Sequence, residues 1–118
     1  MILDKNIKGM KGSFMYCLHE ESIFDVSKFI EFCTAVAGVD EGIYANHFYI
    51  NGLNKCFTYT VKAFIYHLLP EDDYIIKNYD DLGNITQYIE LAMDISEHLC
   101  GRQKITEDYV CSVLEEYS

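Results

Sequence analysis

The clearest pattern in the chain is a recurrence of apolar residues at helical spacing. Across residues 22–37, apolar side chains recur every three or four positions, and polar residues occupy the opposite side. This spacing predicts an amphipathic helix. Ser22 and Asp25 approximate a capping box at its start, and Gly38 is a typical residue to end a helix.

Two further helices are predicted near the C-terminus. The first covers residues 84–100, where Asn84 can cap the start and Gly101 follows the end. Its predicted apolar face includes Met93, and its predicted polar face includes Gln87. The last helix covers residues 107–117, with the cap Thr106 before two acidic residues that suit the positive end of a helix.

The middle of the chain carries two conflicting signals. Asn51-Gly52 between aromatic, β-branched runs is typical of a hairpin turn. Farther along, apolar residues follow helical spacing as far as Pro70, which would stop a helix. We predict a helix over residues 54–69. A hairpin stays as the alternative, so residues 43–69 are divided between the two interpretations.

These elements predict a mainly α, compact domain of about four to five helices. The alternative is an α+β fold with a hairpin around Asn51-Gly52. Residues 1–20 hold Gly9 and Gly12, which favour a loop or a short strand there. At 118 residues with 50% apolar side chains, the chain is long enough for one independent core, and we expect residues 1–118 to form a single domain.

Features of export are missing from the sequence. No apolar stretch resembles a signal peptide or a membrane span. The five cysteines are odd in number and scattered, as expected of reduced thiols that mostly pack in a core. The sequence therefore predicts a cytoplasmic protein that does not bind membranes.

Charge is distributed unevenly along the chain, whose net charge is −10. Residues 1–69 hold seven acidic and six basic side chains, whereas residues 70–118 hold twelve acidic and three basic ones. Such a field repels nucleic acid and attracts positive partners, although acidity also serves solubility alone. We expect a basic protein partner and no direct contact with nucleic acid.

The predicted contact surface lies in this acidic half. Glu90, Asp94 and Glu97 are spaced four and three residues apart, which predicts an exposed acidic ridge on one helix face. Tyrosines accompany the acids, and tyrosine is a favoured interface anchor. Glu115, Glu116 and the tyrosines Tyr79, Tyr88, Tyr109 and Tyr117 could extend this surface. The predicted partner-binding residues are Glu71, Asp72, Asp73, Tyr74, Asp80, Asp81, Glu90, Asp94 and Glu97.

No motif indicates catalysis, a metal or a cofactor. Cys17-x-His19 and His98-x-Cys100 each pair a thiol with an imidazole, but a single intervening residue is poor spacing for zinc ligands. Phosphate-binding glycine loops, dinucleotide fingerprints and H-E-x-x-H are missing. We therefore expect no enzyme activity, no metal and no cofactor.

Three classes of function remain. In size and acidity the chain is similar to immunity proteins and antitoxins, which present acidic surfaces to basic nuclease-type toxins, although no motif marks that class. We expect such a protein-binding inhibitor. The alternative is a phage or mobile-element anti-defence protein that mimics nucleic acid, and the near-neutral first half disfavours it. A small enzyme or ligand sensor with a pocket among the aromatic residues is a further alternative.

Overall fold

Helices build almost all the regular structure of the protein. The computed structural model describes residues 2–39, 46–101 and 104–116, with side chains to Val113 in the last range. The α-helices are α1 (Ile2–Ile7), α2 (Phe14–Glu20), α3 (Val26–Ala37), α4 (His47–Leu68), α5 (Thr86–Leu99) and α6 (Glu107–Glu116). A short 3-10 helix, Tyr79–Asp81, precedes α5, and these residues contain no strand. The prediction of a mainly α, compact domain is confirmed, with six α-helices in the described part of the chain rather than four to five.

The start of α3 differs from the predicted capping box. Asp25 is the N-cap, and its Oδ1 accepts a hydrogen bond from the Lys28 amide at 3.1 Å. Ser22 lies outside the helix with φ +57°, in the left-handed region that non-glycine residues seldom occupy. Its carbonyl accepts a hydrogen bond from the Lys77 amide at 2.8 Å. The predicted helical start at residue 22 is wrong because this tertiary contact holds Ser22, whereas the predicted end at Gly38 is confirmed.

Helix α4 runs without a break through the predicted hairpin turn. It begins after the cap Asn46, whose Oδ1 accepts the Tyr49 amide at 3.1 Å, and ends two residues before Pro70. Residues 43–45 lie outside the described residues. The hairpin alternative is wrong, because Gly52 serves helix packing. A Cβ atom on Gly52 would lie 2.9 Å from Cγ2 of Ile7, so the glycine permits α1 to approach closely.

The N-terminal region forms two short helices, not the predicted loop or strand. Gly9 (φ +61°) and Gly12 (φ +92°) form the connection between them. The buried Asn6 side chain accepts a hydrogen bond from the Met15 amide at 3.0 Å and donates one to the Ile2 carbonyl at 2.9 Å. Helices of six and seven residues are too short for a clear apolar period, so tertiary contacts stabilise them.

The two C-terminal helices lie close to their predicted positions. The N-cap of α5 is Ile85 rather than the predicted Asn84, although Asn84 Oδ1 accepts the Thr86 amide at 3.0 Å. Thr106 Oγ1 accepts the Tyr109 amide at 3.2 Å, as predicted for the start of α6. Gly101, with φ +77°, follows α5. Both predicted helices are confirmed within one or two residues at the described ends, and residue 117 lies outside the described residues.

One core cluster takes side chains from all six helices. The radius of gyration is 13.8 Å, close to the ~13 Å of a compact domain of about 100 residues. Helices α4 and α5 form the most extensive helix pair. The ring centroids of Phe32 and Phe57 are 4.7 Å apart, which joins α3 to α4. The fully buried phenylalanines are Phe14, Phe24, Phe29, Phe32, Phe57 and Phe64.

The cysteines follow the prediction that most pack in the core. Cys17, Cys33 and Cys56 are buried, whereas Cys100 and Cys111 are exposed, and all five are free thiols. Burial raises the pKa of Cys56 to about 12, so this thiol stays protonated and unreactive at neutral pH.

Candidate functional site

The connection between α4 and α5 contains a group of exposed carboxylates. We call residues 70–82 the acidic loop. Lys77 is its single basic residue. All five carboxylates are exposed, which places negative charge on the surface of this loop. They are Glu71, Asp72, Asp73, Asp80 and Asp81.

Hydrogen bonds to residues far along the chain hold this loop in place. The Tyr74 hydroxyl donates to the Leu18 carbonyl at 2.8 Å. The Asn78 side chain bonds both backbone groups of Phe24: Nδ2 donates to the carbonyl at 2.8 Å, and Oδ1 accepts from the amide at 2.9 Å. These contacts provide hydrogen-bond partners for backbone groups that have no partner within a helix. They also hold the loop against the chain before α3.

The last turn of α4 supplies a second anchor. Nδ1 of His67 accepts a hydrogen bond from the Ile76 amide at 2.9 Å, and the His67 ring stacks on Tyr79 with centroids 4.1 Å apart. The side chains of Ile76 and Leu82 are buried in the core. The acidic loop therefore has a fixed backbone, with its anchoring side chains inward and its carboxylates outward.

Exposed apolar side chains lie beside these carboxylates. Leu68 and Leu69 end α4, and Ile75 lies within the loop, with exposed fractions of 55%, 39% and 61%. Ile65 and Tyr66, one turn earlier, are exposed as well. Sequence analysis missed this apolar group, although the run from Ile65 to Leu69 is too continuous for one buried face of a helix. Apolar side chains beside charged ones are typical of protein interfaces.

The acidic ridge is only partly exposed, unlike the prediction. Glu90, Asp94 and Glu97 are half-buried, and each has interactions within the fold. The Tyr109 hydroxyl donates to Asp94 Oδ2 at 2.6 Å, which joins α5 to α6. Asp94 is therefore part of the packing between these helices.

The face of α5 that enters the core is rotated from the predicted one. Met93, predicted as buried, is 57% exposed, and Gln87, predicted on the polar face, is buried. The buried apolar stripe consists of Tyr88, Leu91, Ala92, Ile95 and Leu99. This rotation brings the ridge toward the flank of the helix, where neighbouring residues cover part of it.

Tyrosines of the acidic half stabilise the fold. Tyr88 is buried, with its ring centroid 5.0 Å from that of Phe24, and Tyr79 stacks on His67. Burial raises the pKa of Tyr74, with a further contribution from its neighbour Tyr59, so its hydroxyl remains a donor at neutral pH. Tyr74 thus anchors the loop, and we leave it out of the contact surface proposed below. Tyr117 and the side chains of Glu115 and Glu116 lie outside the described residues.

The two thiol–imidazole pairs are engaged in other contacts. His19 bonds Glu20 at 3.0 Å, and His98 Nδ1 accepts the Ile105 amide at 2.9 Å. Across residues 2–39, 46–101 and 104–113, no group of three or more histidine, cysteine or acidic side chains is placed to hold a metal ion. Within the same ranges, no helix is long and apolar enough to cross a membrane.

Comparisons of the chain with protein-family models, with curated proteins and with solved structures find no match. The chemistry of the chain's own surface is therefore what indicates a function.

Proposed function

We propose that the protein binds a basic protein partner through the acidic loop and inhibits it, as immunity proteins and antitoxins do with nuclease-type toxins. The observation that carries the proposal is the anchored loop, which holds five exposed carboxylates within thirteen residues. A nuclease binds nucleic acid through positive charge, and an acidic surface is the complement of such a cleft.

A fixed loop is suited to rapid and specific binding. Because Tyr74, Ile76 and Asn78 already hold the backbone, little conformational entropy is lost when a partner docks. Carboxylates grouped in one loop steer a basic partner toward that loop, and this steering weakens as salt increases. The geometry therefore favours fast capture over slow rearrangement.

The neighbouring apolar side chains supply the affinity that exposed charge does not. Exposed ion pairs contribute little free energy because water and salt screen them. Burying Leu68, Leu69 and Ile75 beneath a partner removes apolar surface from water, which stabilises the complex. We define the contact surface as these three residues with Glu71, Asp72, Asp73, Asp80 and Asp81.

The uneven charge favours this inhibitor over a mimic of nucleic acid. A mimic reproduces phosphates along an extended surface. Here residues 1–69 are nearly neutral, and the exposed cluster belongs to one loop. A compact acidic patch fits the mouth of one basic cleft better than a long nucleic-acid channel.

The test compares two variants with the same change in charge. The loop variant carries Glu71→Lys, Asp73→Lys and Asp80→Lys, and it keeps Asp72 because Oδ1 of that residue accepts the Tyr74 amide at 2.9 Å. The control carries Glu20→Lys, Glu21→Lys and Glu31→Lys, which are exposed carboxylates of the first half. Each tagged protein is used at low salt to capture proteins from cells of its source, and mass spectrometry identifies them.

We expect the wild type and the control to capture a basic protein that the loop variant loses. Co-expression of the wild type, but not the loop variant, should restore growth to cells that are poisoned by the captured protein. Equal capture by the loop variant, or a captured protein whose activity the wild type leaves intact, contradicts the proposal. A captured defence enzyme that nucleic acid displaces supports the mimic instead.

A further inference from the structure

A concave surface with different chemistry lies on the first half of the domain. It is a groove of about 640 Å³ between the end of α1, helix α2 and the first half of α4. Gly52 and Cys56 of α4 lie along it, and Ile7 and Met15 face them from α1 and α2. The close approach of α1 at Gly52 brings these three helices together and so forms the groove. Its volume lies in the range of sites for small molecules.

Aromatic side chains line this groove. Phe48, in the first turn of α4, is 89% exposed, the highest value among the exposed large apolar residues of the described chain. Tyr16 and Tyr59 line the groove as well, and the Tyr59 ring contacts His19 with centroids 5.4 Å apart. Aromatic rings prefer stacked or edge-to-face contacts with other rings, so a flat apolar body suits this lining.

The charge of the groove is opposite to that of the protein as a whole. Its charged side chains are Lys8, Lys55 and Glu20, and Glu20 bonds His19 at 3.0 Å. Neither lysine forms a salt bridge within the part of the chain that the structure describes. Two cations beside an aromatic lining complement an anion that carries a ring.

We propose that the groove binds a small organic anion with a flat aromatic body, such as an aromatic carboxylate, sulfonate or phosphate. The ring stacks among Tyr16, Phe48 and Tyr59, and the anionic group lies between Lys8 and Lys55. This site is separate from the acidic loop and does not depend on the function proposed for that loop. A protein of net charge −10 repels anions in general, so binding of one here requires local positive charge.

The probes are 2-naphthalenesulfonate and 2-naphthylmethylammonium, which share a ring system and differ in charge. Titration calorimetry measures affinity, and amide chemical shifts locate the site. We expect the sulfonate to bind at least tenfold more tightly than the ammonium, with shifts concentrated in residues 48–59. Tighter binding of the ammonium, or shifts outside the groove, overturns the proposal.

Substitutions distinguish binding in the groove from a general effect of the protein's charge on affinity. Lys8→Gln with Lys55→Gln should weaken sulfonate binding about tenfold. The matched control, Lys5→Gln with Lys62→Gln, changes exposed lysines of α1 and α4 that do not line the groove, and it should change affinity less than twofold. Phe48→Ala, at a side chain too exposed to support the core, should weaken binding about fivefold. Equal losses of sulfonate affinity in the control and in the groove variant would contradict binding in the groove.

A competition experiment tests whether a protein segment, rather than a small molecule, occupies the groove. An amphipathic helical peptide of glutamate and leucine is added to the complex with the sulfonate. We expect no displacement at equal concentration, because the groove is sized for a small molecule. Displacement at tenfold lower peptide concentration overturns the proposal and identifies the groove as a docking site for an acidic helix.

Discussion

Carboxylates are concentrated in two neighbouring regions of the second half, the acidic loop and the acidic ridge. In the loop, Tyr74, His67 and Asn78 make the internal contacts, and the acidic side chains are left exposed. In the ridge, the acidic side chains make internal contacts themselves, as Asp94 does with Tyr109. The same residue types are therefore exposed in one region and engaged in contacts within the fold in the other.

The difference comes from how the backbone N–H and C=O groups of each region find hydrogen-bond partners. Helix α5 pairs its own backbone groups, and its side chains make the contacts with α6. The acidic loop has few backbone pairs of its own, so the Asn78 side chain bonds the backbone of Phe24, and among the loop acids Asp72 accepts the Tyr74 amide while remaining exposed. An irregular segment with dedicated anchors can thus present charge more openly than a packed helix.

The largest expected effect concerns the anchor of the loop. Asn78→Ala leaves both backbone groups of Phe24 without their partner, so we expect unfolding free energy to fall by about 2–3 kcal/mol. Asn84→Ala is the control, because this exposed residue caps a single amide of α5, and its loss should cost about 0.5–1 kcal/mol. Urea unfolding measures both. An Asn78 variant as stable as the Asn84 variant contradicts the role of the loop anchor.

A matched neutralisation compares the two acidic regions directly. Glu71→Gln, Asp73→Asn and Asp80→Asn remove three charges from the loop, and Glu90→Gln, Asp94→Asn and Glu97→Gln remove three from the ridge. We expect association with the captured partner at low salt to slow by about tenfold for the loop variant and by less than about twofold for the ridge variant. Stopped-flow binding measures the rates. Equal slowing by both would show that only total charge matters.

A smaller effect is expected within the ridge. The bond from Tyr109 to Asp94 is short and partly buried, so Tyr109→Phe and Asp94→Ala should each lower unfolding free energy by about 1–2 kcal/mol. In the double variant, a double-mutant cycle should give a coupling of about 1 kcal/mol. Thermal unfolding of the four proteins supplies the values. A coupling energy near zero would show that the bond between Asp94 and Tyr109 does not stabilise the packing of α5 on α6.

The smallest effect concerns the anchor at α4. His67→Phe can keep a ring against Tyr79 but removes the acceptor of the Ile76 amide, which should cost about 1 kcal/mol. Hydrogen exchange at Ile76 should then speed about fivefold, as a loss of this size implies. His67→Asn retains an acceptor at the δ position and should protect the Ile76 amide from exchange better than His67→Phe does. Faster exchange in the Asn variant than in the Phe variant contradicts this anchor.

Sequence alone determined the features that depend on neighbouring residues. Asn84, Thr106, Gly38 and Gly101 mark helix ends through local bonds and backbone conformation, and the apolar periods of α3, α5 and α6 lie within single helices. The uneven charge is likewise a property of the sequence itself. These signals were enough for a mainly α fold and for an acidic second half.

Only the tertiary structure decided which acids are exposed and what Gly52 does. Asn78 meets Phe24 across 54 positions and Tyr74 meets Leu18 across 56, so no local pattern reveals the anchors of the acidic loop. Gly52 resembles a turn residue until α1 is seen to pack against it. The rotation of α5 and the short helices α1 and α2 are set by burial against distant residues. Packing free energy comes from contacts between remote segments, which local periodicity does not encode.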